Sequence, residues 1–160
     1  IKEAYRSSNN NDLKRFLSPI NQSIKCKFNK FFRQVTKNKN KTLKMLEIKG
    51  RKIEIENFYE RVTKFNFDEL CNTNLGSEDY IAIANNCDFI FIKDLPDFNE
   101  DNSNQQQRFI ILIDIIYEKK IPLMVTSEIS LDKINSSKSL IEPFKRTVSR
   151  LYELTSMDYN

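Results

Sequence analysis

Histidine is absent from the 160-residue sequence, and only two glycines, Gly50 and Gly76, are present. Without an imidazole the chain has no His-based general acid or base and no Ser-His-Asp triad, and it lacks the side chain that most often binds metals. Two isolated glycines cannot form the phosphate loops G-x-x-x-x-G-K-[ST] or G-x-G-x-x-G. These absences disfavour most self-sufficient enzymes, and composition alone does not assign a function.

Cysteine-based sites and membrane spans are also disfavoured. Cys26, Cys71 and Cys87 form no C-x-x-C pair, so neither a zinc ribbon nor a redox motif is predicted. We expect no metal site and reduced, partly buried thiols. The longest strongly apolar run, residues 109–117, is interrupted by Asp114 and is too short to cross a bilayer. The length predicts a globular chain of one domain, or of one domain with a small appendage.

Charge is divided unevenly along the chain. Residues 1–64 contain 17 Lys and Arg against 6 Asp and Glu, a net charge of +11, whereas residues 65–160 contain 9 against 16, a net charge of −7. We therefore predict a basic connecting subdomain over residues 1–64 and an α/β part over residues 65–160. Lys, Asn and Ile are abundant and share A/T-rich codons, so the basicity supports a nucleic-acid partner only weakly, and such a partner is not favoured.

The basic half is predicted to contain an amphipathic helix and a β-hairpin. Residues 1–11 predict a polar loop, and a helix is predicted after Pro19, because apolar residues recur at spacings of three and four as far as Val35. Its basic face is typical of a solvated surface; contact with nucleic acid or peripheral association with an acidic membrane are the alternatives. Strands are predicted over residues 43–48, 52–56 and 62–67, with a tight turn at Lys49-Gly50-Arg51.

The second half alternates helices and strands. Two nearly continuous apolar strands, residues 88–92 and 121–125, flank a helix predicted over residues 104–118. Such a pattern is typical of a right-handed βαβ unit with parallel, buried strands. Two further helices are predicted: one with Ser77 as N-cap and ending at Ala84, and one from Pro143 to about Thr155 with Val148, Leu151 and Tyr152 on its buried side.

An ordered set of short motifs covers nearly the whole chain. They are Phe67-Asp68-Glu69-Leu70-Cys71, Leu75-Gly76-Ser77-Glu78-Asp79-Tyr80, Asp94-Leu95-Pro96, the run from Arg108 to Tyr117, the run from Phe144 to Glu153, and Tyr159. In this order and spacing they closely resemble the carboxy-terminal half of the ZapE/AFG-one-like family of P-loop ATPases, an AAA+-related group. Upstream, Tyr5-Arg6 and Gly50-Arg51 stand where that family has Asp-Tyr-Arg and Gly-Arg.

Four residues depart from the family pattern: Ala4, Gln107, Asn135 and Leu154. Gln107 stands where an arginine often precedes Arg108, so one of two candidate phosphate-facing arginines is missing. The resemblance therefore leaves Arg108 as a predicted cofactor-binding residue.

The resemblance implies a partial P-loop/AAA+-like α/β domain that follows the Walker A and Walker B segments of a longer ATPase. The missing glycine-rich loop and the start at Ile1 are what the second half of such an ATPase would show. ATP and Mg²⁺ would then be bound mainly by the N-terminal half. The isolated chain is therefore predicted to be inactive. The implied partners are that N-terminal half, further copies in a homo-oligomer and a protein client. The implied setting is cytoplasmic cell division in bacteria, or mitochondrial protein quality control in eukaryotes.

Arg146 and Arg150 are the predicted catalytic residues. Being four apart, they share one face of the last helix, and they follow a buried strand ending in Thr126-Ser127, which is similar to the sensor-strand-then-arginine arrangement of AAA+ cores. We predict that one of them contacts ATP phosphate, in cis or across a subunit boundary. The alternative is that they pair with carboxylates such as Asp79, Asp94 or Asp114.

Thr126 and Ser127 are predicted to bind the cofactor, because α/β proteins bind ligands at strand carboxyl ends. They would orient a water or a phosphate, or else N-cap a following short helix. The strand before Asp94 resembles a Walker B strand, but Leu95 takes the place of the second carboxylate, so Asp94 is predicted to cap the turn into Pro96. Two other functions stay open: a basic nucleic-acid-binding module and an assembly module without ATPase activity.

Overall fold

A computed structural model of the protein describes residues 14–159. The loop predicted over residues 1–11, with Ala4 and Tyr5-Arg6, lies outside the described residues. No helix in the described range is long and apolar enough to span a bilayer. In chain order the described strands and α-helices are β1 (Phe16–Leu17), α1 (Gln22–Val35), β2 (Lys41–Ile48), β3 (Arg51–Tyr59), β4 (Val62–Asn66), α2 (Phe67–Cys71), α3 (Ser77–Asn85), β5 (Phe89–Leu95), α4 (Ser103–Glu118), β6 (Leu123–Ser127) and α5 (Ile141–Leu154), with 3₁₀ turns at Glu100–Asn102 and Lys138–Leu140.

The six strands form one mixed sheet with the order β1-β6-β5-β4-β3-β2. β1, β6, β5 and β4 are parallel neighbours, whereas β3 is antiparallel to both β4 and β2. The α/β class and the parallel pairing of β5 with β6 are thus confirmed. Because parallel strands end at the same edge of a sheet, the carboxyl ends of β1, β6, β5 and β4 lie side by side.

The predicted division between residues 1–64 and 65–160 falls inside β4. β4 pairs with β3 on one side and with β5 on the other, so the sheet continues through the position at which the net charge changes sign. The helix and the hairpin predicted for the basic half are present as α1 and β2-β3, and both belong to the same sheet assembly as the later elements. The change of charge therefore does not coincide with a break in the fold.

The sheet separates two apolar layers, because successive side chains of a strand point to opposite faces. On β5, Phe89 and Phe91 pack with α1, whereas Ile90 and Ile92 pack with α2, α3, α4 and α5 on the other face. The α1 layer is strongly aromatic: the rings of Phe28 and Phe91 meet edge to face, with 5.6 Å between centroids. The helix α1 is thus held on the sheet by its apolar side and presents its basic side outward.

The start of α3 differs from the prediction. Ser77 is the first helical residue, and the N-cap is Gly76. Gly76 has no side chain to accept from the first-turn N–H groups, and the Asp79 carboxylate instead accepts a hydrogen bond from the Gly76 backbone N–H at 2.8 Å, as the N3 residue of a capping box does. Asp79 also pairs with Arg51, which ties the β2-β3 hairpin to α3.

The buried side of α5 also differs from the prediction. Tyr152 is 39% exposed, Leu151 is buried, and Val148 is half-buried against the core. The buried residues recur at spacings of three and four, so the residue that follows Leu151 lies outside the apolar stripe. The fully buried positions are Phe144, Thr147, Leu151 and Leu154.

Candidate functional site

Polar side chains join the carboxyl ends of β4, β5 and β6. The Asp94 carboxylate accepts a hydrogen bond from the Asn66 side-chain amide at 2.8 Å, and the Asp94 backbone N–H donates to the Thr126 hydroxyl at 2.9 Å. Asp94 has a φ of +66°, a left-handed conformation that Asp and Asn adopt more readily than most residues. The Asp94 side chain therefore bonds to the neighbouring strand, whereas the sequence predicted that it caps the turn into Pro96.

Thr126 and Ser127 are both buried, but they differ in the hydrogen-bonding groups they keep available. The Ser127 hydroxyl donates to the Ile129 carbonyl at 2.8 Å and accepts from the Ile129 N–H at 3.2 Å, so it closes the turn after β6 and caps no helix. The Thr126 hydroxyl accepts from the Asp94 N–H. Since that bond uses only a lone pair, the hydroxyl proton of Thr126 remains free to donate.

A cavity of about 180 Å³ lies between α1 and this edge of the sheet. Of the three predicted cofactor-binding residues, only Thr126 lines it. Its wall combines two lysines, an amide, a carboxylate, a hydroxyl and an aromatic ring: Lys25, Phe28, Asn29, Lys93, Asp94 and Thr126. The position agrees with the rule that α/β proteins bind ligands beyond the carboxyl ends of their strands.

The two predicted catalytic arginines lie on α5 and face Asp114 of α4. Arg150 Nη1 pairs with Asp114 Oδ1, whereas Arg146 Nη2 approaches Asp114 Oδ2 only to 3.9 Å. The Arg150 guanidinium lies 4.5 Å from the centroid of the Tyr117 ring. The alternative that the sequence left open, pairing of these arginines with a carboxylate such as Asp114, is therefore observed, most closely for Arg150. Contact of either arginine with ATP phosphate stays a prediction.

Arg108 has a contact on the same side of the sheet. Its Nη1 donates to the backbone carbonyl of Cys71 at the end of α2, over 3.0 Å. Burial raises the pKa of the Cys71 thiol, so the sulfur stays a neutral neighbour of this guanidinium. Cys71 and Cys87 are buried and Cys26 is exposed, which agrees with the predicted partial burial of the thiols.

Apart from Arg146 and Arg150, which share Asp114, the structure does not bring the predicted site residues together. Thr126 faces α1, whereas Arg108, Arg146 and Arg150 lie on helices that pack on the opposite face of the sheet. Thr126 instead lines a cavity together with Lys25 and Lys93, two lysines that the sequence did not identify as site residues. One signal was available for Lys93, because it directly follows an apolar strand, where α/β ligand sites occur.

Comparison with known proteins shows the family to which the chain belongs. A family model described as AFG1-like ATPase matches residues 2–160. Cell division protein ZapE of Escherichia coli strain K12 is 27% identical over 144 residues, which cover 90% of this chain and 38% of ZapE. Lactation elevated protein 1 homolog B of Danio rerio is 29% identical over 91 residues, which cover 57% of this chain and 18% of that protein. The chain thus spans well under half the length of these relatives. No solved structure matches it.

Proposed function

Because the chain belongs to the AFG1-like ATPase family, we propose that it is the carboxy-terminal portion of an ATPase that couples ATP binding and hydrolysis to a protein client. The observation that carries this proposal is the family match over residues 2–160, together with coverage of only 38% of ZapE. Protein quality control and cell division are the two proposed settings, and the similarity to cell division protein ZapE supports the second. A cytoplasmic location is part of the same proposal.

The residues present do not fit a complete ATP site. Gly50 lies in the β2-β3 turn with φ of +82°, and Gly76 is the N-cap of α3, so neither belongs to a loop of backbone N–H groups that would cradle phosphates. We propose that ATP and Mg²⁺ are held mainly by a separate half of the full-length protein, with this chain as its partner. A homo-oligomer is part of the same proposal, because an arginine can then act across a subunit boundary.

The contribution proposed for this chain is positive charge at the transferred phosphate. ATP hydrolysis builds negative charge on the phosphoryl oxygens, and a guanidinium beside them stabilises that charge. Arg146 has a side chain that is 54% exposed and a long, 3.9 Å contact with Asp114. Arg150 is paired more closely and is more buried. These contacts favour Arg146 over Arg150 as the residue that is free to turn toward a nucleotide.

Steady-state ATP turnover tests whether the separate half is required for ATP hydrolysis. We expect the full-length protein that contains this chain to hydrolyse ATP in the presence of Mg²⁺, and the isolated 160-residue chain to show no turnover above background. Turnover by the isolated chain would contradict the assignment of the phosphate cradle to a separate half. Failure of the full-length protein to hydrolyse ATP would contradict the ATPase proposal itself.

A basic binding module is the second candidate. The exposed side of α1 carries four positive charges, from Lys25, Lys27, Lys30 and Arg33. If this face binds nucleic acid, the affinity of the isolated chain for RNA or DNA falls steeply as salt is raised, because phosphate contacts release counterions. Filter binding over a salt series measures that slope, and a lack of saturable binding at low salt contradicts this candidate.

A further inference from the structure

We propose that the cavity between α1 and the carboxyl ends of β5 and β6 binds inorganic phosphate as a protonated oxyanion. The site consists of Lys25, Lys93, Thr126 and Asp94, with Asn29 beside them. It does not rest on ATP hydrolysis and needs no residue from outside the chain. It is also separate from the arginines of α4 and α5, which lie across the sheet.

Positive charge is the first property that fits an anion. Lys25 reaches the cavity from α1 and Lys93 from the end of β5, and neither forms an ion pair with a carboxylate in residues 14–159. Lys64 lies close to Lys93, and its pKa is lowered. Burial is the largest cause, and the positive charges of Lys93, Lys41 and Arg33 lower the pKa further. This part of the surface therefore has an excess of cations that an anion would relieve.

Directed hydrogen-bond donors are the second property. Thr126 is only 3% exposed. Its Oγ1 accepts a hydrogen bond from the Asp94 N–H, and because that bond uses a lone pair, the hydroxyl proton is still available to donate. The Asn29 side-chain amide supplies further donors on the α1 wall. Ammonium, hydroxyl and amide donors around one small space are the groups that oxyanions accept bonds from.

The size of the cavity restricts its occupant. Sites for drug-sized ligands have volumes of roughly 300–1,000 Å³, whereas this one has about 180 Å³. A single tetrahedral oxyanion fits this space, and a whole nucleotide does not.

Asp94 distinguishes phosphate from other oxyanions. Asp94 lines the cavity, and its Oδ2 accepts from the Asn66 amide, whereas its Oδ1 accepts no hydrogen bond from the described residues and is available as an acceptor. At neutral pH inorganic phosphate keeps at least one O–H that can donate to a carboxylate, but sulfate keeps none. We therefore expect a preference for phosphate over sulfate, because the carboxylate bonds to one and repels the other.

Isothermal titration calorimetry of the 160-residue chain at pH 7 and constant ionic strength tests the proposal. We expect saturable binding of phosphate and weaker binding of sulfate. Lys93→Met and Thr126→Val should each weaken phosphate binding about tenfold or more, since a hydrogen bond to a charged group contributes about 1.5–3 kcal/mol. Lys27→Met removes the same charge from α1 outside the cavity and should leave the affinity within about twofold.

Asp94→Asn is the sharpest variant, because asparagine tolerates the left-handed backbone and keeps the shape of the side chain. It should raise the affinity for sulfate and abolish the preference for phosphate. Circular dichroism spectra equal to that of the parent chain exclude unfolding as the cause of any loss. Absence of saturable phosphate binding, or equal losses in Lys27→Met and Lys93→Met, overturns the proposal.

ADP distinguishes free phosphate from the phosphoryl end of a nucleotide. Because the cavity has room for one oxyanion, we expect ADP not to displace phosphate. Competition by ADP that is lost in Lys93→Met would assign the cavity to a nucleotide terminus and would contradict the assignment to free phosphate.

Discussion

Arg150 of α5 pairs with Asp114 of α4 and thereby fastens the last helix to its neighbour. The same guanidinium covers the ring of Tyr117, whose hydroxyl donates to Glu153 at 2.8 Å. Arg146 approaches the Asp114 carboxylate only to 3.9 Å and has a largely exposed side chain. One arginine of the pair thus has a clear structural role, and the other is held weakly.

Arg150→Ala should therefore lower the free energy of unfolding by about 1–2 kcal/mol, because it removes a partly exposed ion pair and a cation–π contact. Arg146→Ala should change it by less than about 0.5 kcal/mol, as is usual for an exposed side chain. Urea denaturation of the two variants and the parent measures the difference. Equal losses in both variants would contradict the unequal roles.

Arg15 joins the start and the end of the described chain. It is 4% exposed, its Nε donates to the Leu123 carbonyl at 2.9 Å, and its Nη2 donates to the carbonyls of Leu154 at 3.1 Å and Met157 at 2.7 Å. The guanidinium also lies 5.2 Å from the Tyr159 ring centroid. One buried side chain therefore links β6 to the last residue of α5 and to Met157 beyond it.

Arg15→Met should destabilise the fold by about 3 kcal/mol, because methionine keeps much of the length but leaves buried carbonyls without a donor. Thermal and urea unfolding measure the effect. Lys14→Met is the matched control, since it removes the same charge from an exposed neighbour and should cost less than about 0.5 kcal/mol. A similar loss of stability in both variants would show that the stability depends on the positive charge and not on these hydrogen bonds.

The three thiols should differ in reactivity. A thiol reagent at pH 8 should modify one thiol, the exposed Cys26, in the folded chain and all three in denaturant. Burial raises the pKa of Cys87 from the ordinary 9.0 to about 11 and raises the pKa of Cys71 as well. Since the unfolded chain then loses these protons at lower pH than the folded chain, the contribution of the two thiols to stability should be constant well below pH 9 and decrease as the pH rises through 9 toward 11.

Cys71→Ala/Cys87→Ala separates this effect from other alkaline transitions. The double variant should lose the decrease in stability between pH 9 and 11 that these thiols cause, whatever its stability at pH 7. Rapid modification of all three thiols in the folded parent would contradict the burial that underlies both expectations.

The apolar periodicity predicted the helices α1 and α4 and the paired strands β5 and β6, because buried faces need regular spacing of large apolar residues. It did not predict β1, since two residues are too few to show a period. Tyr152 was placed on the wrong face because an aromatic residue beside Leu151 resembles a core residue in sequence. The structure instead buries Thr147 on that stripe.

The cavity lay beyond sequence reasoning for a different reason. Lys25, Lys93 and Thr126 come from three elements that are adjacent only because β6 lies between β1 and β5 in the sheet and α1 crosses over it. The spacing of residues along the chain contains no record of that order. The arginine pair was accessible, since two residues four apart on a helix share a face whatever the fold.

The most direct test of the proposed ATPase role is the kcat for ATP hydrolysis by the full-length protein with Arg146→Ala and with Arg150→Ala, against Lys145→Ala as a control on the same helix. If one arginine stabilises the transferred phosphate, its removal should lower kcat by roughly 10³-fold or more, while Lys145→Ala stays close to the parent. A kcat unchanged in both arginine variants would contradict the catalytic role proposed for this chain.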